Sequence, residues 1–341
     1  MKNCLSTITA ITIAALSLTY SGATVLASET IVPAEEYETP LEGEGMLTGP
    51  SEQVQGEGML TGPSESMEDQ GMLSGPSESS ESSSVFSSSA EPTVETIEWN
   101  PEWQFANYSV IHTGAATLYR SENGNGFTVC VNAGHGTAGG ESVMTMCHPD
   151  GTPKVTGGST AAGATQAIAV SSGCMMADGR PEGVVNLSLA LILKDKLLAE
   201  GFNVLMIRES GDVQLDNIAR SVIANQNADC HLAIHYDSSD SDKGFFCITV
   251  PDVASYRAME PVASHYQQHL ALAECLINGQ STVGTPLFSG GMMPLDLTQT
   301  SYSTVPSVDV ECGDRVSDCS PETQARIADG LVLGLKQFFG V

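Results

Sequence analysis

The sequence predicts an α/β domain whose sheet is mostly parallel and flanked by helices on both faces. Three observations predict it. Residues 181–237 read as helix, strand, helix and strand in succession. The strand candidates are short apolar runs, as expected of strands buried on both faces. The longest helix candidate carries Leu187, Leu191, Leu193, Leu197 and Leu198 at helical spacing. Consecutive strand–helix units imply right-handed crossovers within one sheet.

The chain opens with Lys2, then a weakly polar apolar run over Ile8–Leu18, then Val25-Leu26-Ala27. This pattern fits a secretory signal peptide over residues 1–27, cleaved near Ala27. A membrane anchor is the alternative, but Thr, Ser, Tyr20 and Gly22 interrupt the run. No other stretch is long and apolar enough to span a bilayer, so no stable membrane insertion is expected after cleavage. The expected location is secreted, at the cell envelope.

Residues 28–96 read as a disordered linker. They hold no Lys or Arg, many Glu and almost no large apolar residues. Such a segment buries too little surface to offset the entropy of ordering. It also repeats: GEGMLTGPSE at Gly43–Glu52 and Gly56–Glu65, then DQGMLSGPSE at Asp69–Glu78. The thirteen-residue spacing is too short and too polar for a solenoid. A self-repelling spacer accounts for it, and a short docking motif is the sharper alternative. The net charge is −28, which excludes a basic nucleic-acid surface. Nor does an acidic chain adhere to an anionic wall by charge alone.

The folded part is expected from Ile97 to Val341, enough for one domain with a full core. Trp99 and Trp103 near its start suit packing of the first strand better than sugar stacking. Cys130, Cys230 and Cys247 fall in apolar runs and read as buried thiols. Cys312 and Cys319 are close enough in sequence to form a disulfide. No CxxC pair is present, so a cysteine zinc site is unsupported.

The first strand is expected over Phe127–Val131, followed by Asn132-Ala133-Gly134-His135-Gly136. Glycines on both sides of His135 let the chain turn sharply. Glu182 opens a helix expected over Val184–Glu200, which Gly201 stops. A strand is expected over Phe202–Ile207. Asp212 stands at the N-cap position of a helix expected over Val213–Asn225. Cys230–His235 reads as the next strand, and Val305–Gly313 as the last, with Glu311 near its end. In open α/β sheets, ligands bind beyond the carboxyl ends of the strands. His135, Glu182 and His235 are expected to converge there, and two imidazoles with a carboxylate form a catalytic zinc set that leaves a position open. Glu311 lies among apolar residues. A general base beside the metal suits it best; a fourth ligand and a salt-bridge partner are the alternatives. The long stretches 137–180 and 288–305 are expected to be irregular loops that shape access to the site.

In order along the chain, these motifs resemble the zinc-dependent N-acetylmuramoyl-L-alanine amidases of peptidoglycan. His135 matches the family's Gly-His-Gly, and Glu182-Gly183-Val184-Val185-Asn186-Leu187 its Glu before an Asn-Leu helix. Ile207-Arg208 matches a Thr-Arg strand end. Leu215 to Arg220, with Ala224-Asn225, matches the Leu-x-x-Arg helix. Ala228-Asp229 with His235 matches the Ile-x-Ile-His strand, and Val310-Glu311-Cys312-Gly313 the Val-Glu-x-Gly strand. The match runs from about Thr128 to the C-terminal helix.

The resemblance implies an open, mixed sheet of about six strands and one zinc ion on His135, Glu182 and His235. It also implies Glu311 as the base, peptidoglycan as the substrate, and the bond between the muramic acid lactyl group and L-alanine as the one cut. Three departures bear on substrate fit. Asn132-Ala133 replaces an acid and a proline, Asp237 an Asn, and Asp314-Arg315 the usual Phe-x after Gly313. Asp314 and Arg315 are expected either to read a peptide stem or to pair with each other. The rival functions are a zinc peptidase cutting stem peptides, a non-catalytic wall-binding protein, and an adhesion protein working through its repeats. The sequence leaves the oligomeric state open.

Overall fold

The computed structural model describes residues 92–122 and 124–341. The expected signal peptide and nearly all of the expected linker lie outside the described residues. Eight strands form one sheet, two more than expected. In chain order the elements are β1 (Thr93–Ile97), β2 (Ala116–Arg120), β3 (Thr128–Ala133), β4 (Met144–Met146), β5 (Gln166–Ile168) and α1 (Glu182–Ala199). There follow β6 (Asn203–Met206), α2 (Asn217–Asn227), β7 (Cys230–Asp237), β8 (Phe245–Thr249) and α3 (Ala254–Arg257). The chain closes with α4 (Val262–Thr282), β9 (Leu287–Pro294), α5 (Thr298–Tyr302), β10 (Ser307–Asp314) and α6 (Pro321–Phe339).

The sheet order is β1-β2-β6-β3-β7-β10-β8-β9, and β4 pairs with β5 in a separate hairpin. The four central strands, β6, β3, β7 and β10, run parallel. Antiparallel pairs join β1 to β2, β2 to β6 and β10 to β8. The extra strands come from outside the periodic stretches. β1 begins at Thr93, before the expected domain start, with only Ile97 of its five residues buried. β9 and α5 occupy a stretch expected to be irregular, and β4 and β5 fall within the Gly-rich 137–180.

Side chains alternate across each strand. Val129, Val131, Leu232, Ile234, Val308 and Val310 face a core shared with α1 and α6. The opposite face carries Cys130 and Leu205, which pack against Leu215, Ala219 and Ile223 in and beside α2. Trp99 and Trp103 pack there as expected, Trp99 stacking on His112 with ring centres 4.9 Å apart.

The N-cap of α2 is Asp216, not Asp212. Asp216 Oδ1 accepts the Ala219 N–H at 2.7 Å. Its Oδ2 accepts the N–H groups of Val110 and Ile111 at 2.7 and 2.9 Å. Asp216 is fully buried, so it ties the helix start to the N-terminal segment. Asp212 instead braces the preceding turn, accepting from the backbone of Ala138 and Gln214. The expected Cys312–Cys319 disulfide is not formed. All eight cysteines among the described residues are free, with Cys130, Cys230 and Cys247 buried.

Candidate active site

β3 ends at Ala133, and His135 follows with a left-handed backbone, φ 62°. The glycines around it answer steric demands. A Cβ on Gly134 would lie 2.2 Å from the His235 ring, and one on Gly136 would lie 2.8 Å from the Arg208 guanidinium. Two buried arginines fix this turn. Arg208 donates to the carbonyls of Ala133, Gly134 and Gly183 at 2.9, 2.7 and 2.6 Å. Arg220 donates to the His135 carbonyl at 2.6 Å, to Thr137 Oγ1 at 3.0 Å and to Asn132 Oδ1 at 3.0 Å. Burial lowers the Arg208 guanidinium to about 10. Burial and the nearby Arg208 charge lower Arg220 to about 9. Both arginines stand in the motifs quoted above, but their spacing gave no hint that they hold carbonyls.

Glu182 is the first residue of α1, where the helix dipole favours a carboxylate. Its Oε1 lies 2.7 Å from His135 Nε2 and 3.1 Å from His235 Nδ1. The two imidazole nitrogens are 3.1 Å apart. Further backbone donors seat the carboxylate: Tyr236 N–H at 3.2 Å on Oε1 and Cys174 N–H at 3.0 Å on Oε2. Burial works against the Glu182 charge, yet the two histidines hold its carboxyl well below the usual range. Burial also opposes charge on His235, but Asp309, Glu182 and Glu311 lift it to about 10. A metal ion would displace that proton.

The three expected ligands therefore meet, with their ligand atoms within 4.8 Å of one another. His135 Nδ1 lies 2.7 Å from the Ser171 carbonyl, which can only accept. Nδ1 thus carries a proton, and Nε2 is the nitrogen that would face a metal shared with Glu182 and His235. Zinc–ligand distances of about 2.0–2.1 Å put neighbouring ligand atoms of a tetrahedron roughly 3.3 Å apart. The observed 2.7–3.1 Å suits such a site.

β7 and β10 run in parallel register with His235 opposite Glu311. Paired residues point to the same face, so both side chains face a cavity of about 870 Å³. Val310 and Cys312 point the other way into the core, and so an acid sits among apolar neighbours. Glu311 Oε2 has no hydrogen-bond partner. Burial pushes the Glu311 carboxyl well above the usual range, with Asp309 and Glu182 adding to this against His235. Asp309, two residues earlier on the same face, also lines the cavity. The sequence reading missed it, although the alternation Val308-Asp309-Val310-Glu311 carried the signal.

Two segments wall the cavity. One supplies Lys154, Gly157, Thr160 and Ile168; the other supplies Met293, Leu295 and Leu297. Asp296 locks them together. Its carboxylate accepts from Val155 N–H and Thr156 Oγ1, both at 2.6 Å, and pairs with Lys154 at 2.7 Å and His148 at 3.3 Å. Asp314 and Arg315 do not pair with each other. Asp314 is buried against Lys243, 3.3 Å away, and Arg315 pairs with Asp240 at 3.1 Å.

The profile of the N-acetylmuramoyl-L-alanine amidase family matches residues 129–337, more than half of the chain. The chain belongs to this family. Its activity is that of a peptidoglycan N-acetylmuramoyl-L-alanine amidase. The family is in general zinc-dependent and works outside the cell or at the envelope. Among solved structures, the chain is similar to the amidase Ami1 from Mycobacterium smegmatis. Identity is 22%, with 64% of this chain and 99% of that one covered, at a TM-score of 0.51. The apo form of Ami1 from Mycobacterium abscessus gives 21% identity, 63% and 99% coverage, and a TM-score of 0.50. At these identities the likeness is one of fold. No curated protein matches the sequence. No helix among the described residues is long and apolar enough to cross a membrane.

Proposed function

We propose that the chain cleaves the muramic acid–L-alanine amide with one zinc ion held by His135 Nε2, Glu182 Oε1 and His235 Nδ1. The observation that carries this reading is the convergence of those three atoms at the wall of a cavity that also holds Glu311. Zinc in such a site supplies Lewis acidity, polarising a carbonyl and making a water more acidic. Glu311 accepts a proton from the attacking water at Oε2 and returns it to the alanine nitrogen as the C–N bond breaks. A carboxyl raised by burial holds a proton more readily than an exposed one, which suits that task. The Ser171 carbonyl accepts from His135 Nδ1 and so favours the tautomer in which Nε2 can ligate. The walls locked by Asp296 enclose the substrate.

The catalytic unit is residues 92–341, and the segments before it direct the enzyme to the envelope and space it there. Peptidoglycan is its partner. Metal analysis combined with mass spectrometry of digested sacculi tests the reading. One zinc per chain, lost in His135→Ala, Glu182→Ala and His235→Ala, and new free L-alanine amines are expected. Cleavage within the stem peptide would instead make the chain a zinc peptidase. Zinc and activity retained in all three variants would move the site elsewhere.

A further inference from the structure

Asp309 has no place in the reaction described so far, yet its setting calls for one. It sits on β10 between Val308 and Val310, which are core residues. Its own side chain is on the opposite face and 13% exposed. No lysine or arginine pairs with it among the described residues, and Oδ1 has no hydrogen-bond partner. A carboxylate this buried is costly unless something compensates it. Its neighbours across the sheet are Ala233 and Ile248. Ala233 is small and leaves lateral room on the His235 side, because Ala233 and His235 share one face of β7. Asp309 Oδ2 lies 3.8 Å from His235 Nε2. Among the described residues, the acids that pair with this ring are Glu182, at Nδ1, and Asp309, at Nε2.

We propose that Asp309 is the positioning residue of His235, accepting its Nε2 proton so that Nδ1 is the nitrogen presented to the metal. His235 turns Nδ1 toward His135 and Glu182, so Nε2 is the nitrogen that must keep its proton when a metal binds. The second nitrogen of a ligating histidine is generally held by a carboxylate or carbonyl, which fixes the ring and strengthens the ligand. His135 already has this partner in the Ser171 carbonyl. Asp309 completes the arrangement for His235. The 3.8 Å separation is an ion-pair distance, longer than a hydrogen bond. Asp309 is therefore a partner poised beside the ring and not a fourth ligand.

This inference rests on the three-ligand site proposed above, and its test separates the two. Zinc affinity is measured by competition with a chromophoric chelator for the parent chain, Asp309→Asn, Asp309→Leu and His235→Ala. Melting of each metal-free protein is followed in parallel. In Asp309→Leu, affinity should fall by about 10–100-fold, the usual worth of such a partner. Asp309→Asn keeps an acceptor oxygen and should fall less. Neither change should lower metal-free melting by much, because Asp309 pairs there with His235 at 3.8 Å, longer than a hydrogen bond. In the zinc form of the parent, the His235 Nε2 proton should exchange slowly by NMR, and this protection should vanish in Asp309→Leu. Affinities within twofold of the parent for both variants would overturn the inference. Loss of zinc as complete as in His235→Ala would also overturn it, by making Asp309 a ligand. A parallel fall in metal-free melting would overturn it by assigning Asp309 to the fold. Parent-like zinc binding in His235→Ala would instead overturn the three-ligand site itself.

Discussion

Gly173 stands against His135. A Cβ at position 173 would lie 2.8 Å from His135 Cδ2 and 2.9 Å from Glu182 Oε2. The backbone there is left-handed, φ 81°, which also favours glycine. The segment after β5 is thus moulded onto two of the proposed ligands.

Gly173→Ala should therefore disturb the site without touching a ligand. The left-handed alanine costs about 1–2 kcal/mol, and the methyl must displace the His135 ring or the Glu182 carboxylate. Reduced zinc affinity with a modestly lowered melting temperature is the expected result, measured by chelator competition and calorimetry. Unchanged affinity would show that the loop yields instead of the ligands.

Glu311→Gln keeps the shape of the side chain and removes its proton acceptor. Zinc content should match the parent, since the three ligands are intact. Turnover on muramyl peptides should fall by about 10²–10⁴-fold. The assay follows new alanine amines at equal zinc occupancy. Parent-like turnover rejects the base, and loss of zinc makes Glu311 a ligand.

The sequence shows the centre of this molecule more plainly than its edges. β3, α1, β6 and β7 were legible because apolar runs, the leucine spacing of α1 and Gly201 delimit them, and they carry or lead directly into His135, Glu182 and His235. Asp212 was misread as a cap because an acid before an apolar run is the usual signal. The partners that make Asp216 the cap, Val110 and Ile111, are remote in sequence. β1 was missed because four of its five residues are exposed. β9 was missed because Ser289, Gly290 and Gly291 interrupt it, all with left-handed backbones. Asp309 hid behind Glu311, since strand alternation alone does not say which acid a metal-bound ring will meet.

The start of the folded part can be tested by truncation. A chain beginning at Pro92 should match the full chain in stability and in turnover on soluble fragments. One beginning at Glu98 lacks β1 and with it Ile97, which is buried against the α2 face. It should lose about 1.5–3 kcal/mol, the value of burying one such side chain. Denaturant unfolding of both chains decides the boundary, and equal stabilities would place β1 outside the cooperative unit.

Acid should loosen the cavity wall through Asp296. Burial opposes its charge, but His148, Lys154, Thr156 and the Val155 N–H hold its carboxyl well below the usual range. The unfolded chain then binds the proton more readily than the folded one. Its contribution is fully present above the ordinary aspartate value of about 3.9 and is lost as pH falls below that toward the lower folded value. Asp296→Asn should cost about 1–3 kcal/mol at neutral pH. The gap between parent and variant should narrow between pH 5 and pH 2 (roughly the window those values define). Urea unfolding at several pH values measures it, and a gap that stays constant with pH would clear Asp296 of this role.

Arg208 and Arg220 have a consequence for how the proposed zinc site would be loaded. Between them they grip the carbonyls on either side of His135 and the Gly183 carbonyl beside Glu182. These contacts run from side chain to backbone and need no metal, so they can hold the His135 and Glu182 backbone with or without an ion. A small zinc finger spends its binding energy on folding itself. Here that entropy is already accounted for by two guanidinium clamps. Removing the ion should silence the protein and leave it standing, ready to be recharged.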